Sequence, residues 1–425
     1  MKNKSYKARI VDSKVEEYLE AFGAVCIEGP KWCGKTWTSA HHCQSSIYLS
    51  DPANNFQNRR LAELAPQAIL EGETPRLIDE WQEYPPLWDA VRHRVDISGD
   101  AGQFILTGSA TPIHKGIMHS GAGRIARIRM RPMSLYESGD SSGKVSLRDV
   151  CQGKIEPQLT GEVELQRIVQ LIIRGGWPAV LQRRENRAHL LPTEYLRAVL
   201  ADDIYRIDGI QRDSAKMLLL LRSLARNVAT TASISKLRED IRTESGDDID
   251  NKTVAAYMDV FQRLFLIENQ APFSTNIRSS VRVKQAEKRH FTDPSLACSL
   301  LRVTADMLLH DLNTLGFLFE SLCVRDLQIY ADAMDAKVYH YQDYKGREVD
   351  AVIELPNGNW CAFEIKLGAR QIETAAESLL KLSKSIAAEP GGKPPAVLAV
   401  ICAMSNAAYQ REDGVFVLPI TALKP

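Results

Sequence analysis

No run of 18 consecutive apolar residues occurs in this 425-residue chain, and the basic start MKNKSYKARIVDSK leads into no apolar stretch of the signal-peptide kind. Membrane-spanning helices and secretion are therefore disfavoured, and a cytoplasmic location is expected. Net charge is missing as well, because Lys plus Arg and Asp plus Glu both number 53. Bulk charge gives no pull toward nucleic acid or an anionic membrane, so any basic patch has to be local. The eight cysteines (Cys26, Cys33, Cys43, Cys151, Cys298, Cys323, Cys361 and Cys402) contain no C-x-x-C pair. Scattered in this way they make neither a zinc knuckle nor a disulfide frame, and they read as reduced thiols. His41-His42-Cys43 finds no second ligand cluster and reads as a helix end. The length suggests about three domains.

What is present begins with Gly29-Pro30-Lys31-Trp32-Cys33-Gly34-Lys35-Thr36, directly after the apolar run Ala24-Val25-Cys26-Ile27. The stretch meets G-x-x-x-x-G-K-[ST] at every fixed position and sits between a strand and the start of a helix. Backbone N–H groups of such a loop surround a phosphate chain, and the helix N-terminus adds a positive dipole. Lys35 is expected to reach the β- and γ-phosphates and the Thr36 hydroxyl to hold Mg²⁺, which makes ATP and Mg²⁺ the expected cofactors. Short apolar runs then alternate with helical stretches, which implies a parallel sheet covered on both faces.

Two of those runs end in chemistry. Leu77-Ile78-Asp79-Glu80 sets two carboxylates at a strand's C-terminal end, where open α/β sheets bind ligands. Asp79 would hold Mg²⁺ through water, and Glu80 would polarise the attacking water. Phe104-Ile105-Leu106-Thr107-Gly108-Ser109 brings hydroxyls to another strand end, with Thr107 a candidate γ-phosphate sensor; Ser and Thr are equally common in plain turns. Arg124, after Gly121-Ala122-Gly123, could neutralise transition-state charge in its own site or a neighbouring protomer's, or be a surface arginine.

GPKWCGKT, LIDEWQEYPPLWDAVRHRVD, FILTGSA, GAGR and RPMSLYE follow in the order seen in a large bacterial and archaeal group, the AAA-type ATPases joined to a C-terminal domain of unknown function. The chain resembles that group through GGWPAV (175–180) and YLRAVLADDIYRI (195–207) too, so the likeness covers most of its length. The resemblance implies an AAA+-like core in which the strand ending at Thr107 lies between the P-loop strand and the acid-pair strand. No second arginine can be assigned as a lid sensor.

Residues 1–137 thus form the expected P-loop domain, and the polar run from Ser138 to Gly143 marks a boundary. Residues 138–300 turn helical. A short helix near 234–241, a polar turn, a longer helix opening near Asp250 and an extended piece at 267–273 follow the order of a winged helix-turn-helix. Arg278, Arg282, Lys284, Lys288 and Arg289 fall in its wing. They could neutralise DNA phosphates, or the module could be an ATPase lid with a solvated basic ribbon.

Residues 301–425 read as an α/β domain: a helix carrying Glu320, strands near 336–341, 348–354 and 359–367, a helix near 372–386 and a strand at 396–401. Pro356-Asn357-Gly358 fits a three-residue hairpin loop, which pairs Leu355 with Asn359 and hence Asp350 with Glu364. In that register Glu348, Asp350, Glu364 and Lys366 gather on one face, while a two-residue loop would set Val349 opposite Lys366. Carboxylates so close repel one another unless a divalent cation joins them; the plainer reading is an exposed cross-strand Glu–Lys pair. The element order and the D-x13-E-x-K spacing resemble the PD-(D/E)xK nucleases. That resemblance implies Asp350 and Glu364 as metal ligands, Lys366 as catalytic and Glu320 as auxiliary ligand. No Q-x-x-x-Y follows. The expectation is an ATPase whose nucleotide state controls a nuclease-like module acting on DNA, with a homo-oligomer or a partner protein as further associations. The competing expectation is a nucleotide-dependent switch or DNA-binding regulator with an inert C-terminal fold.

Overall fold

A computed structural model of the chain describes residues 6–111, 117–181, 183, 187–207, 209–246, 249–275, 285–343, 346–389 and 391–425. The chain folds into two compact units. The first comprises Met1–Pro132, Ala201–Arg212 and Asp259–Leu266, and the second Met133–Leu200, Asp213–Met258 and Ile267–Pro425. Among the described residues no helix is long and apolar enough to cross a membrane.

The first unit is built on β1 (Ala24–Glu28), β2 (Ser45–Tyr48), β3 (Arg76–Asp79), β4 (Phe104–Gly108) and β5 (Ile125–Arg129). They form a wholly parallel five-stranded sheet in the order β2-β3-β4-β1-β5. The strands carry apolar residues at consecutive positions because both faces are covered. Alternate residues go to opposite sides. Cys26, Ile78 and Leu106 pack with Leu87, Trp88 and Val91 of the helix Leu87–Ser98. Val25, Ile27, Leu77 and Ile105 pack with Val15 of the helix Asp12–Ala21. The strand ending at Thr107 lies between the P-loop strand and the acid-pair strand, as the resemblance implies. All five strands run the same way, so the loops after β1, β3 and β4 open at one edge of the sheet.

The second unit holds the helical middle of the chain, with Leu165–Arg174, Ser214–Arg226 and Ile234–Ser245 among its helices, and an α/β C-terminal region. Its strands are β6 (Val145–Ser146), β7 (Gln158–Leu159), β8 (Lys337–Gln342), β9 (Glu348–Glu354), β10 (Trp360–Lys366), β11 (Val397–Cys402), β12 (Ala407–Gln410), β13 (Phe416–Pro419) and β14 (Leu423–Lys424). Seven of them make one mixed sheet in the order β7-β12-β13-β11-β10-β9-β8, and β14 pairs with β6. The stretch 133–160 therefore belongs with the C-terminal sheet, to which it lends the edge strand β7. The helix Leu312–Asp332 packs on β8, β9 and β10, and Val352, Trp360 and Ala362 pack with the helix Ile372–Ala387.

The β9–β10 hairpin takes the register that its loop demands. Leu355 N–H donates to Asn359 O at 2.8 Å, Gly358 sits at φ 75°, and Phe363 faces Ala351. A second short ribbon links residues 267–270 with 288–291 through the antiparallel bridges Ile267↔Phe291 and Gln270↔Lys288. A buried ion pair pins the middle of this unit. Arg325 donates to Asp293 at 2.8 Å and to Asp326 at 2.7 Å. Those carboxylates in turn accept the N–H groups of Gly176 and Leu135, both at 2.9 Å. A Cβ on Gly176 would lie 2.0 Å from Met133 O, so only glycine fits there.

Candidate functional site

The loop from Gly29 to Thr36 leaves the C-terminal end of β1 and feeds the helix Lys35–His42. Gly34 makes the turn at φ 109°, a conformation that glycine adopts without penalty. Gly29 is held by its N–H to Gly108 O at 3.2 Å, and a Cβ there would lie 2.1 Å from Met130 O. Arg9 pins the middle, donating to Cys33 O at 2.8 Å and to Arg131 O at 2.9 Å, while the Cys33 side chain is buried. Lys35 is buried and reaches back across the loop, donating to Gly29 O at 2.9 Å and Pro30 O at 2.8 Å. Lys31 points outward to Asp203 at 2.5 Å, and Trp32 is exposed at φ 65°. A loop fixed at both ends, with a lysine across it and a helix N-terminus behind it, suits a phosphate chain.

The acid pair lies against that loop. Thr36 Oγ1 donates to Asp79 Oδ1 at 2.9 Å, and Thr107 Oγ1 donates to the same oxygen at 2.7 Å. Burial, opposed by those two hydroxyls, raises the Asp79 carboxyl above its ordinary value. A hydroxyl and a carboxylate in direct contact are hard oxygen donors, and the buried charge is one that a cation would relieve; the pair fits Mg²⁺. Glu80 follows in a left-handed conformation at φ 56°, its N–H on Thr107 Oγ1 at 2.9 Å. Its carboxylate accepts from Ser109 Oγ at 2.8 Å and from the Gln82 amide. Gln82 also donates to Ser109 at 3.2 Å, and its buried Oε1 has no partner among the described residues.

The structure thus brings Lys35, Thr36, Asp79, Glu80, Thr107 and Ser109 together. Thr107 is completely buried, and its hydroxyl is engaged by Asp79 and by the Glu80 backbone, so it shapes the acid pair from beneath. Arg124 is not brought to the loop. It precedes β5, whose Ile125 pairs with Ala24, at the opposite end of β1 from the P-loop and about 16 Å of strand away. Its guanidinium is half-exposed and donates to Asp96 at 2.6 Å. Gln82 went unnoticed in the sequence because a glutamine beyond an acid pair matches no phosphate-site motif.

A second polar cluster lies in the second unit. Strand pairing stops at Phe363↔Ala351, one step short of Asp350 and Glu364, and there the Asp350 carboxylate accepts the N–H of Ile365 at 2.8 Å. Lys366 Nζ lies 3.0 Å from Asp350 Oδ2 and 2.5 Å from Glu364 Oε2. Lys288 Nζ lies 2.6 Å from Glu320 Oε1 and 3.7 Å from Asp350 Oδ1. Burial and the neighbouring Asp350 push Glu320 up to about 8 and Glu364 up to about 7. Burial also acts to raise Asp350, but the charges of Lys366 and Lys288 outweigh it and hold that carboxyl below its ordinary value.

One expectation is corrected here. Lys288 does not stand in a solvated basic wing: it is 5% exposed and points into the carboxylates, because Glu320 and Asp350 attract its ammonium group. Arg289 is largely buried beside Glu287, while Arg278, Arg282 and Lys284 lie outside the described residues. At the acids expected as metal ligands, Glu320, Asp350 and Glu364, the side chains stand interleaved with Lys288 and Lys366. Among the described residues no group of three or more His, Cys, Asp or Glu side chains is placed to hold a metal ion, since two lysines alternate with the three acids.

Residues 21–139 match the family model described as AAA domain. The matched stretch is the one that carries the P-loop and the parallel sheet. Residues 165–307 match a domain of unknown function, DUF8612, and residues 315–423 another, DUF4143. An uncharacterized protein of Mycobacterium bovis and one of Mycobacterium tuberculosis are each 24% identical over 358 residues, 83% of this chain and 72% of theirs. A Walker-type ATPase of Pyrococcus abyssi superposes with a TM-score of 0.45 at 13% identity, over 71% of this chain and 97% of that one. That score is too low to assign a fold, so the class rests on the domain match and the site.

Proposed function

We propose that this protein is a Mg²⁺-dependent ATPase whose nucleotide state controls a nuclease-like C-terminal module acting on DNA. The hydrogen-bonded chain Thr36–Asp79–Thr107–Glu80 carries the first half, since it couples the loop that would hold phosphates to the acids that would act on water. Lys35 would bind the β- and γ-phosphates, with N–H groups of residues 29–36 around them. Thr36 and Asp79 would hold Mg²⁺, which would screen the charge gathering on the phosphate oxygens. Glu80 would orient the attacking water and accept its proton, while Ser109 and Gln82 fix the direction of the carboxylate. Arg124, remote from its own loop and paired with Asp96, would act on a neighbouring copy.

The second half rests on Asp350, Glu364 and Lys366 meeting at the point where β9 and β10 separate. There the acids would bind Mg²⁺ and Lys366 would position the nucleophile. One observation favours a second reading, a nucleotide-dependent switch with an inert nuclease-like fold: two lysines already balance most of the acidic charge. Purified protein given ATP, Mg²⁺ or Mn²⁺ and several DNA forms separates the two, with phosphate release and strand scission followed together. Lys35→Ala abolishes phosphate release under both readings. Asp350→Ala abolishes scission under the first, and wild-type protein that hydrolyses ATP without any scission supports the second.

A further inference from the structure

The five charged groups of the second cluster form an alternating row: Glu320, Lys288, Asp350, Lys366, Glu364. Each oxygen of Asp350 faces a different ammonium, Oδ1 towards Lys288 and Oδ2 towards Lys366. With all five ionised the row carries one net negative charge, three acids against two bases. Without Lys288 it would carry two, which is what a divalent cation neutralises.

Lys288 is also held in place. Its N–H and C=O exchange hydrogen bonds with Gln270, both at 2.9 Å. The Gln270 amide donates to Tyr339 O at 2.8 Å and to Asp350 O at 3.1 Å, fastening the ribbon to β8 and β9. Two residues on, His290 sits between Gln270 Oε1 and Ser321 Oγ, each at 3.3 Å. The ribbon belongs to the stretch 165–307, whereas the acids belong to 315–423. One segment of the chain therefore supplies a cation to a site whose carboxylates come from another.

We propose that Lys288 is the resident cation of this cluster, and that a hard divalent ion binds between Glu320 and Asp350 only in exchange for the lysine ammonium. The inference rests on the reading of Asp350 and Glu364 as metal-binding acids and adds that the site is closed from within. Binding a divalent ion then requires the 288–291 ribbon to withdraw Lys288. This makes the ribbon, not the hairpin, the element that governs access.

The test is Mn²⁺ binding to the full-length chain without nucleotide, followed by the electron paramagnetic resonance of free Mn²⁺, with Asp350→Ala versions defining the signal that belongs to this site. Lys288→Met is expected to bind Mn²⁺ about tenfold tighter than wild type, because one close positive charge is gone. Lys288→Arg, which keeps the charge, stays at the wild-type level, and Lys288→Met/Asp350→Ala loses the gain. Equal Asp350-dependent binding by wild type and Lys288→Met overturns the proposal while leaving the metal-site reading intact. Absence of Asp350-dependent binding in both overturns the metal-site reading and the proposal with it. Should Lys288→Met fail to fold, acetylation of Lys288 in the wild-type protein, measured by peptide mass, decides: it rises with Mn²⁺ if the ion replaces the lysine. Mn²⁺ taken up through Asp350 with acetylation unchanged overturns the exchange, and so does acetylation as complete as that of an exposed lysine before any ion is added.

Discussion

Glu80 stands in a backbone conformation that side chains other than glycine adopt at a cost of about 1 kcal/mol or more, and such strain persists only where the surroundings hold it. Thr107 holds its N–H, and Ser109 and Gln82 hold its carboxylate. Glu80→Gln is expected to keep nucleotide binding and to lower phosphate release by about a hundredfold or more, the usual size of a lost general base. Gln82→Ala is expected to lower release by about tenfold with nucleotide affinity unchanged, because the carboxylate is then aimed less tightly. An unchanged rate would show that the amide only fills space. Phosphate release against ATP concentration, beside equilibrium nucleotide binding, checks both. That Lys35, Thr36, Asp79 and Glu80 would lie together was legible, because a G-x-x-x-x-G-K-T loop and an acid pair both follow strands of one parallel sheet. Gln82 and Lys288 were not, since a glutamine after an acid pair or a lysine among charged residues reads the same wherever the fold puts it.

At the scale of elements, the β9–β10 hairpin shows how much a turn decides. A loop of Pro356, Asn357 and Gly358 sets the register, and the register brings Asp350 and Glu364 together just beyond the last ladder pair, Phe363 and Ala351. Gly358 at φ 75° meets no neighbouring atom at the position of a Cβ, so a substitution there changes backbone strain alone. Gly358→Ala is expected to destabilise the second unit by about 1 kcal/mol in urea denaturation. A loss much above that would mean that the register itself has moved. The hairpin could be read from sequence because local turn chemistry and the apolar pattern agree. The pairing of 267–270 with 288–291 could not, being two isolated bridges whose partners are chosen by Gln270 and by the carboxylates beyond it; only an extended piece at 267–273 and a basic wing were legible. The same limit hid the role of 133–160, whose edge strand β7 is two residues long.

For the molecule as a whole, the second unit depends on buried charge and buried neutrality. Arg325→Ala leaves Asp293 and Asp326 buried without their shared cation, and the unit is expected to lose about 3–5 kcal/mol, read as an earlier unfolding transition. His290 makes the opposite case. Gln270 donates its amide hydrogens to two carbonyls, so its Oε1 accepts from His290 Nε2–H, and His290 Nδ1 accepts from Ser321. That arrangement needs the neutral ring. Burial first, and the nearby Lys288 charge second, push this imidazole down to about 3. In the unfolded chain the ring takes its proton near pH 6.5. Between these values the unfolded state binds the extra proton, so the contribution of His290 to stability is intact above 6.5 and falls as pH drops toward 3. At pH 5 the loss from this ring amounts to about 2 kcal/mol. His340, which burial pushes down to about 4, adds a loss of the same sign over a narrower window. Urea denaturation of wild type and His290→Gln at pH 7 and pH 5 isolates the term. The variant is less stable at pH 7, where the hydrogen bonds are lost, but it falls by about 2 kcal/mol less than wild type on going to pH 5. Equal falls in the two proteins would mean that His290 is not held neutral in the folded chain.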